Sequence, residues 1–175
     1  PAPRRLLMST MATTLCIGLM SGTSLDGVDA VLAAFDAPGQ PFRAVAHCHQ
    51  PFDPALRQAL LALNQPGDNE LHRAALAANE LSRAYAAVTA SLLRTTNQQP
   101  SDITALGAHG QTVRHRPGEF DGIGYTLQLI NGALLAELTG IDVVCDLRSR
   151  DVAAQGQGAP LVPAFHAAVF AQPGQ

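Results

Sequence analysis

Gly18-Leu19-Met20-Ser21-Gly22-Thr23-Ser24-Leu25-Asp26-Gly27-Val28-Asp29 is a polar, glycine-bearing bend between two apolar runs, and its reading decides the fold. Upstream, Leu15 to Met20 reads as a short buried strand. Downstream, Val28 to Phe35 resumes a β-compatible run and ends at the turn signal Asp36-Ala37-Pro38-Gly39. Phe42 to His49 then alternates, with Phe42, Ala44 and Ala46 on one side and Arg43, Val45 and His47 on the other. Three strands with short connections pair as an antiparallel meander, because parallel neighbours need a longer crossover. In the bend itself, small residues let backbone N–H groups approach an anion, and Ser and Thr hydroxyls add donors. No Lys follows the second Gly and no helix opens there, so this is not a Walker A loop. A strand comes next, which excludes a dinucleotide fingerprint. Asp26 repels phosphate unless a divalent cation sits between them, so the chemistry points to a Mg²⁺-nucleotide. A plain hairpin turn, needing only Asp26-Gly27, fits the same spacing.

Helical spacing takes over after the third strand. Asp53-Pro54 is an N-cap with Pro at the first helical position, and Leu56, Leu60, Leu61 and Leu63 form the apolar stripe. Pro66-Gly67-Asp68 interrupts it, and Asp68 or Asn69 caps a long helix from about Glu70 to Arg94. Its stripe runs Leu71, Ala74, Ala75, Ala78, Leu81, Tyr85, Val88 and Leu92. A loop at Asn97 to Pro100 leads to a buried strand at Ile103 to Ala108. Tyr125 to Ile130 is strand-like, and Asn131 caps a helix from Gly132 to Leu138 that Gly140 ends. Ile141 to Cys145 reads as a short strand, Asp151 to Gly158 as a glycine-containing loop, and Pro160 to Phe170 as a last apolar helix. Antiparallel β followed by alternating α and β predicts an α/β fold, a mixed sheet flanked by helices.

Composition narrows the function. The 175 residues are 47% hydrophobic and 14% charged, which argues against disorder and a solvated coiled coil. A net charge of -3 gives no electrostatic reason to bind nucleic acid, and 5% aromatics without Trp leave no base-stacking platform. Cys16, Cys48 and Cys145 form no CxxC and suit a reduced, cytoplasmic protein. Arg4-Arg5 before an apolar stretch mimics a signal peptide, but Ser9, Thr10, Thr13 and Thr14 break the stretch. Residues 1–13 read as a flexible extension. No window reaches 18 uninterrupted apolar residues, so no membrane span is expected.

Two further constellations follow strand ends, where open α/β sheets place ligands. His109-Gly110-Gln111-Thr112 offers His109 to a sugar hydroxyl or to proton transfer, or simply to its own loop backbone. In Asp146-Leu147-Arg148-Ser149-Arg150-Asp151, either Arg suits an acidic ligand, or an Arg–Asp network braces the loop. A metal cluster of His109, His115 and His166 matches no zinc spacing.

The Gly18 to Asp29 stretch resembles the amino-terminal signature of the anhydro-N-acetylmuramic acid kinases. His109-Gly110-Gln111-Thr112, Gln128, Asn131, Ala133 to Asp142, Asp146, Arg148, Asp151 and Gly156 to Pro163 follow that family's order. The resemblance implies an actin-like, sugar-kinase-like (ribonuclease H-like) lobe over residues 14–175, the amino-terminal half of a two-lobed enzyme. It implies ATP and Mg²⁺ as cofactors, with Gly22 to Asp29 on the phosphates and Asp26 on Mg²⁺ through water. Thr23, His109, Gln111, Asn131 and Arg150 match the sugar pocket, Arg150 facing the lactyl carboxylate. Such kinases add water across 1,6-anhydro-N-acetylmuramic acid and phosphorylate O6, in peptidoglycan recycling. Their general base is an Asp in a Phe-Asp-x-Gly-Pro-Gly-Asn motif that this sequence does not contain. No catalytic residue is therefore expected here, and a catalytically incomplete nucleotide- or sugar-binding module is the alternative. A small-molecule sugar is the expected partner, with no nucleic acid or membrane, and a homodimer is open for the full-length protein. Ile130 and Gly132 stand where the family shows Gly and Pro, and Gln155 where it shows Gly.

Overall fold

The computed structural model describes residues 13–36 and 42–170. The expected extension, apart from Thr13, and the Ala37-Pro38-Gly39 turn lie outside the described residues. The first three strands are β1 (Thr14–Met20), β2 (Gly27–Phe35) and β3 (Arg43–Pro51). They form the expected antiparallel meander, with Ile17 opposite Leu32, Leu19 opposite Ala30 and Asp29 opposite His49. Two further strands, β4 (Ala105–Ala108) and β7 (Val143–Val144), add in parallel to give the order β3-β2-β1-β4-β7. The sheet is mixed, as the alternation of elements predicts.

Between β3 and β4 run α1 (Pro54–Ala62) and α2 (Glu70–Thr96). Asp53 caps α1 by accepting from the Ala55 N–H at 2.8 Å. Asn69 starts α2 in the left-handed region without a side-chain bond, and Asn97 ends it in the same conformation. Leu81, Tyr85, Val88 and Leu92 of α2 bury against Ile17, Leu19, Leu32 and Leu106 of the sheet. Each such side chain contributes about 1.5–3 kcal/mol of apolar burial. Alanines at 74, 77 and 78 keep α2 slim where it packs.

Several elements differ from expectation: β4 and β7 are shorter than the expected Ile103 to Ala108 and Ile141 to Cys145. Gln111–Pro117 is a strand, β5, which pairs with β6 (Gly124–Leu129) in a separate two-stranded ribbon. The segment expected to be a loop from Asp151 opens inside a one-turn helix, α4 (Ser149–Ala153). Helix α3 (Gly132–Thr139) is capped by Asn131 and closed by Gly140 at φ 67°, as expected. The last helix, α5 (Pro163–Phe170), starts three residues later than expected. Among the described residues no helix is long and apolar enough to cross a membrane.

Candidate functional site

The three parallel strands β1, β4 and β7 deliver their carboxyl ends to one edge of the sheet. The β1–β2 loop and the 109–111 turn meet there. In the loop, Leu25 N–H donates to Gly22 O at 3.1 Å, closing a turn whose tip is Thr23-Ser24. Both tip residues are exposed, as is Asp26. Among the described residues the backbone N–H groups of Gly22, Thr23 and Ser24 donate to no carbonyl. Consecutive free amides with two hydroxyls make a concavity suited to an anion.

Ser24 Oγ donates to Asp26 Oδ1 at 2.9 Å. That bond is the main cause holding the Asp26 carboxyl below the usual carboxylate range, helped by its own and Gly27's backbone amides. Asp26 is therefore a solvent-facing anion beside an anion cradle. Among the described residues no three His, Cys, Asp or Glu side chains gather into a metal site. One carboxylate suits a cation whose other ligands are phosphate oxygens and water, as in a Mg²⁺-nucleotide, and does not suit a cation held by protein alone.

The rest of the predicted phosphate segment turns away. Leu25 and Val28 are 2% and 1% exposed and belong to the core. Leu25 adopts φ 54°, and its carbonyl accepts from Arg57 Nε at 3.1 Å. A Cβ on Gly27 would sit 2.3 Å from Gln50 O, so close strand pairing accounts for that glycine. Asp29 Oδ1 faces His47 Nε2 at 2.9 Å and His49 Nδ1 at 3.1 Å across the β2–β3 pair.

Gln111, 1% exposed, does reach the loop, its Nε2 donating to Gly22 O at 3.1 Å. Its Oε1 is buried with no partner. That atom is a buried acceptor whose hydrogen-bonding capacity is unmet. His109 uses both ring nitrogens. Nδ1–H donates to Gly110 O at 2.7 Å, which leaves Nε2 to accept from Arg148 Nε at 2.9 Å. Burial, then the Arg148 charge, pushes its pKa below the usual imidazole value, although the Gly110 bond works the other way. Asn131 is likewise committed: Oδ1 caps α3 at Leu134 N–H, and Nδ2 donates to Asn79 Oδ1 at 2.8 Å. Arg150 is exposed on α4, and among the described residues its side chain makes no hydrogen bond. Arg148 makes the loop contacts instead, donating to Gly158 O at 2.6 Å while Asp151 Oδ2 accepts from Gly158 N–H at 2.7 Å. The bracing network expected at 146–151 exists, joined through Gly158 and not by a direct Arg–Asp pair.

A family model described as anhydro-N-acetylmuramic acid kinase matches residues 14–175. The chain belongs to the anhydro-N-acetylmuramic acid kinase family. Proteins of that name from Variovorax paradoxus and Albidiferax ferrireducens are 67% and 65% identical over 94% and 92% of this chain. One from Cupriavidus metallidurans is 60% identical over 93%. The chain spans 44%, 41% and 42% of these relatives' lengths. Against the anhydro-N-acetylmuramic acid kinase pattern, Gln155 is informative: it holds φ 67°, a left-handed conformation that glycine adopts freely.

The anhydro-N-acetylmuramic acid kinase signature does not single out the polar seam of α2. Asn79, Ser82 and Tyr85 recur at three-residue spacing beside the apolar stripe. Ser82 Oγ meets Asn131 O and N–H, and Tyr85 Oη lies 2.9 Å from Ser21 Oγ. The spacing was the available signal: polar residues in step with a buried stripe must find partners.

Proposed function

We propose that residues 14–175 are the amino-terminal lobe of an actin-like, two-lobed sugar kinase. In the full-length protein the lobe would serve ATP-dependent conversion of 1,6-anhydro-N-acetylmuramic acid to N-acetylmuramic acid 6-phosphate, in the cytoplasm. One observation carries the reading. The β1–β2 loop presents three free amides, two exposed hydroxyls and an ionised Asp26 at the carboxyl edge of parallel strands. Thr23, Ser24 and the Gly22 to Ser24 amides would hold the triphosphate, and Asp26 would take a water of its Mg²⁺. The metal would supply charge neutralisation on the transferring phosphoryl group. Gln111 would offer Oε1 to the sugar side, and Arg150, free and exposed, would meet the lactyl carboxylate.

Calorimetric titration of ATP with and without Mg²⁺, wild type against Asp26→Asn, tests the reading. The wild type is expected to bind more tightly with the metal present, and the variant to lose about tenfold of that gain, the effect of one charge-assisted contact. Identical Mg²⁺ dependence would remove Asp26 from the site. Absence of nucleotide binding by the full-length protein would end the kinase reading.

A further inference from the structure

A directed chain of hydrogen bonds runs from the middle of α2 to the far side of the site, and Tyr85 heads it. Tyr85 is fully buried and Ser21 is 1% exposed. Ser21 Oγ lies 2.9 Å from Tyr85 Oη and 3.3 Å from Gly110 O. A carbonyl can only accept, so Ser21 donates to Gly110 and accepts the Tyr85 proton. The Gly110 carbonyl also accepts from His109 Nδ1–H, and the next residue, Gln111, donates to Gly22 O. Two bonds therefore staple the 109–111 turn to Ser21-Gly22, and the Tyr85 hydroxyl sets the direction of one.

The position of Ser21 makes this staple more than bracing. The residues right after it, Gly22 to Ser24, carry the free amides, so a rotation at Ser21 re-aims the anion cradle. On the other side, Gln111 carries the unpartnered Oε1. Burial pushes the Tyr85 phenol up to about 12, so it stays a donor at any working pH. We propose that Tyr85 is a positioning residue that couples the nucleotide loop to the sugar-side turn through Ser21, so that each ligand alters the affinity of the other. The inference rests on the kinase reading given above, and linkage makes the coupling reciprocal.

The test uses the full-length protein in four forms: wild type, Tyr85→Phe, Ser21→Ala and the double variant. Phe keeps the ring and its packing. Without ligands, amide hydrogen exchange at Leu25, whose N–H is bonded to Gly22 O, and at His109, bonded to Leu19 O, should rise together by about tenfold in each single variant, the effect of one lost hydrogen bond. The double variant should add nothing, because both changes cut the same chain. With a non-hydrolysable ATP analogue and Mg²⁺, the factor by which sugar tightens nucleotide should fall about fivefold in Tyr85→Phe. Additive effects, exchange confined to α2, or unchanged coupling would overturn the proposal. A wild type that binds no nucleotide would sink the kinase reading and the coupling with it. A binding wild type whose Tyr85→Phe variant behaves identically would sink the coupling alone.

Discussion

At His109 the fold chooses a protonation state. With Nδ1–H on Gly110 O and Nε2 accepting from Arg148, the imidazole is neutral, and a second proton would set two cations face to face. The unfolded chain takes that proton near pH 6.5, the folded chain only at lower pH. Between those values the unfolded state binds more protons, so stability falls as the pH drops. The contribution is whole above about 6.5 and is lost on descending through the folded value. Urea denaturation of wild type and His109→Gln at about pH 7.5 and 5.5 should show the larger acid loss in the wild type. Equal losses would show that His109 is not held neutral. Much of the site at this scale was legible from local chemistry. The Thr23 and Ser24 hydroxyls, the ionised Asp26 and the Asn131 cap all depend on near neighbours in the chain. The choice of Arg148 over Arg150 as the partner of His109 was not legible. It turns on the direction in which the short helix α4 projects each side chain, 39 residues away in sequence from the acceptor. Tyr85 reads as part of the apolar stripe because a phenol and a phenylalanine satisfy the same spacing; only its step with Asn79 and Ser82 marks its hydroxyl as one that needs a partner.

The elements show the same division between local and distant causes. The meander, α1, α2 and α3 follow from alternation, caps and 3.6-residue spacing. β5 was missed because it is polar, Gln-Thr-Val-Arg-His-Arg-Pro, and a register shift between Thr112 and Arg114 breaks its alternation. Its strand character comes from pairing with β6, which no local pattern announces. α4 is a single turn, too short for periodicity to speak. Two glycines of the first motif can be separated by experiment at this scale. A Cβ on Gly27 would meet backbone atoms of Gln50 at 2.3 and 2.9 Å, where nothing can swing aside. Gly18, on the adjoining strand, has nothing within 4 Å. Gly27→Ala is expected to destabilise the chain by about 1–3 kcal/mol through overpacking of the β2–β3 pair. Gly18→Ala is expected to be neutral or to stabilise by about 0.5–1 kcal/mol, since alanine has less backbone freedom to lose on folding than glycine. Shifts in the denaturant midpoint decide it. Equal costs would mean that both glycines are demanded by the loop and not by strand contact.

At the scale of the molecule, the sheet is apolar on both faces and is served unequally. Ile17, Leu19, Ala30, Leu32 and Leu106 lie under α2, each 2% exposed or less. The alternate residues, Cys16, Gly18, Val31, Ala33, Ala105 and Gly107, line a cleft of about 450 Å³ whose other walls include Phe35, Phe42 and Phe165. The ring of Phe165 in α5 lies tilted against Phe42, centroids 5.4 Å apart, yet Phe165, Leu161 and Val162 remain 43%, 41% and 41% exposed. Parallel strands are stable when both faces are covered, and an apolar surface of this kind associates or binds whatever apolar group is offered. The 175-residue chain is therefore expected to enhance the fluorescence of a hydrophobic dye and to sediment as concentration-dependent oligomers. Replacing Val31 with Thr and Phe165 with Ser should reduce both signals together, because the two side chains line the same cleft from opposite walls. The β1–β2 loop faces another edge, so Mg²⁺-ATP titration should be the same before and after the replacement. A wild-type chain that runs as a monodisperse monomer, melts cooperatively and leaves the dye dark would mean that this face is satisfied as it stands.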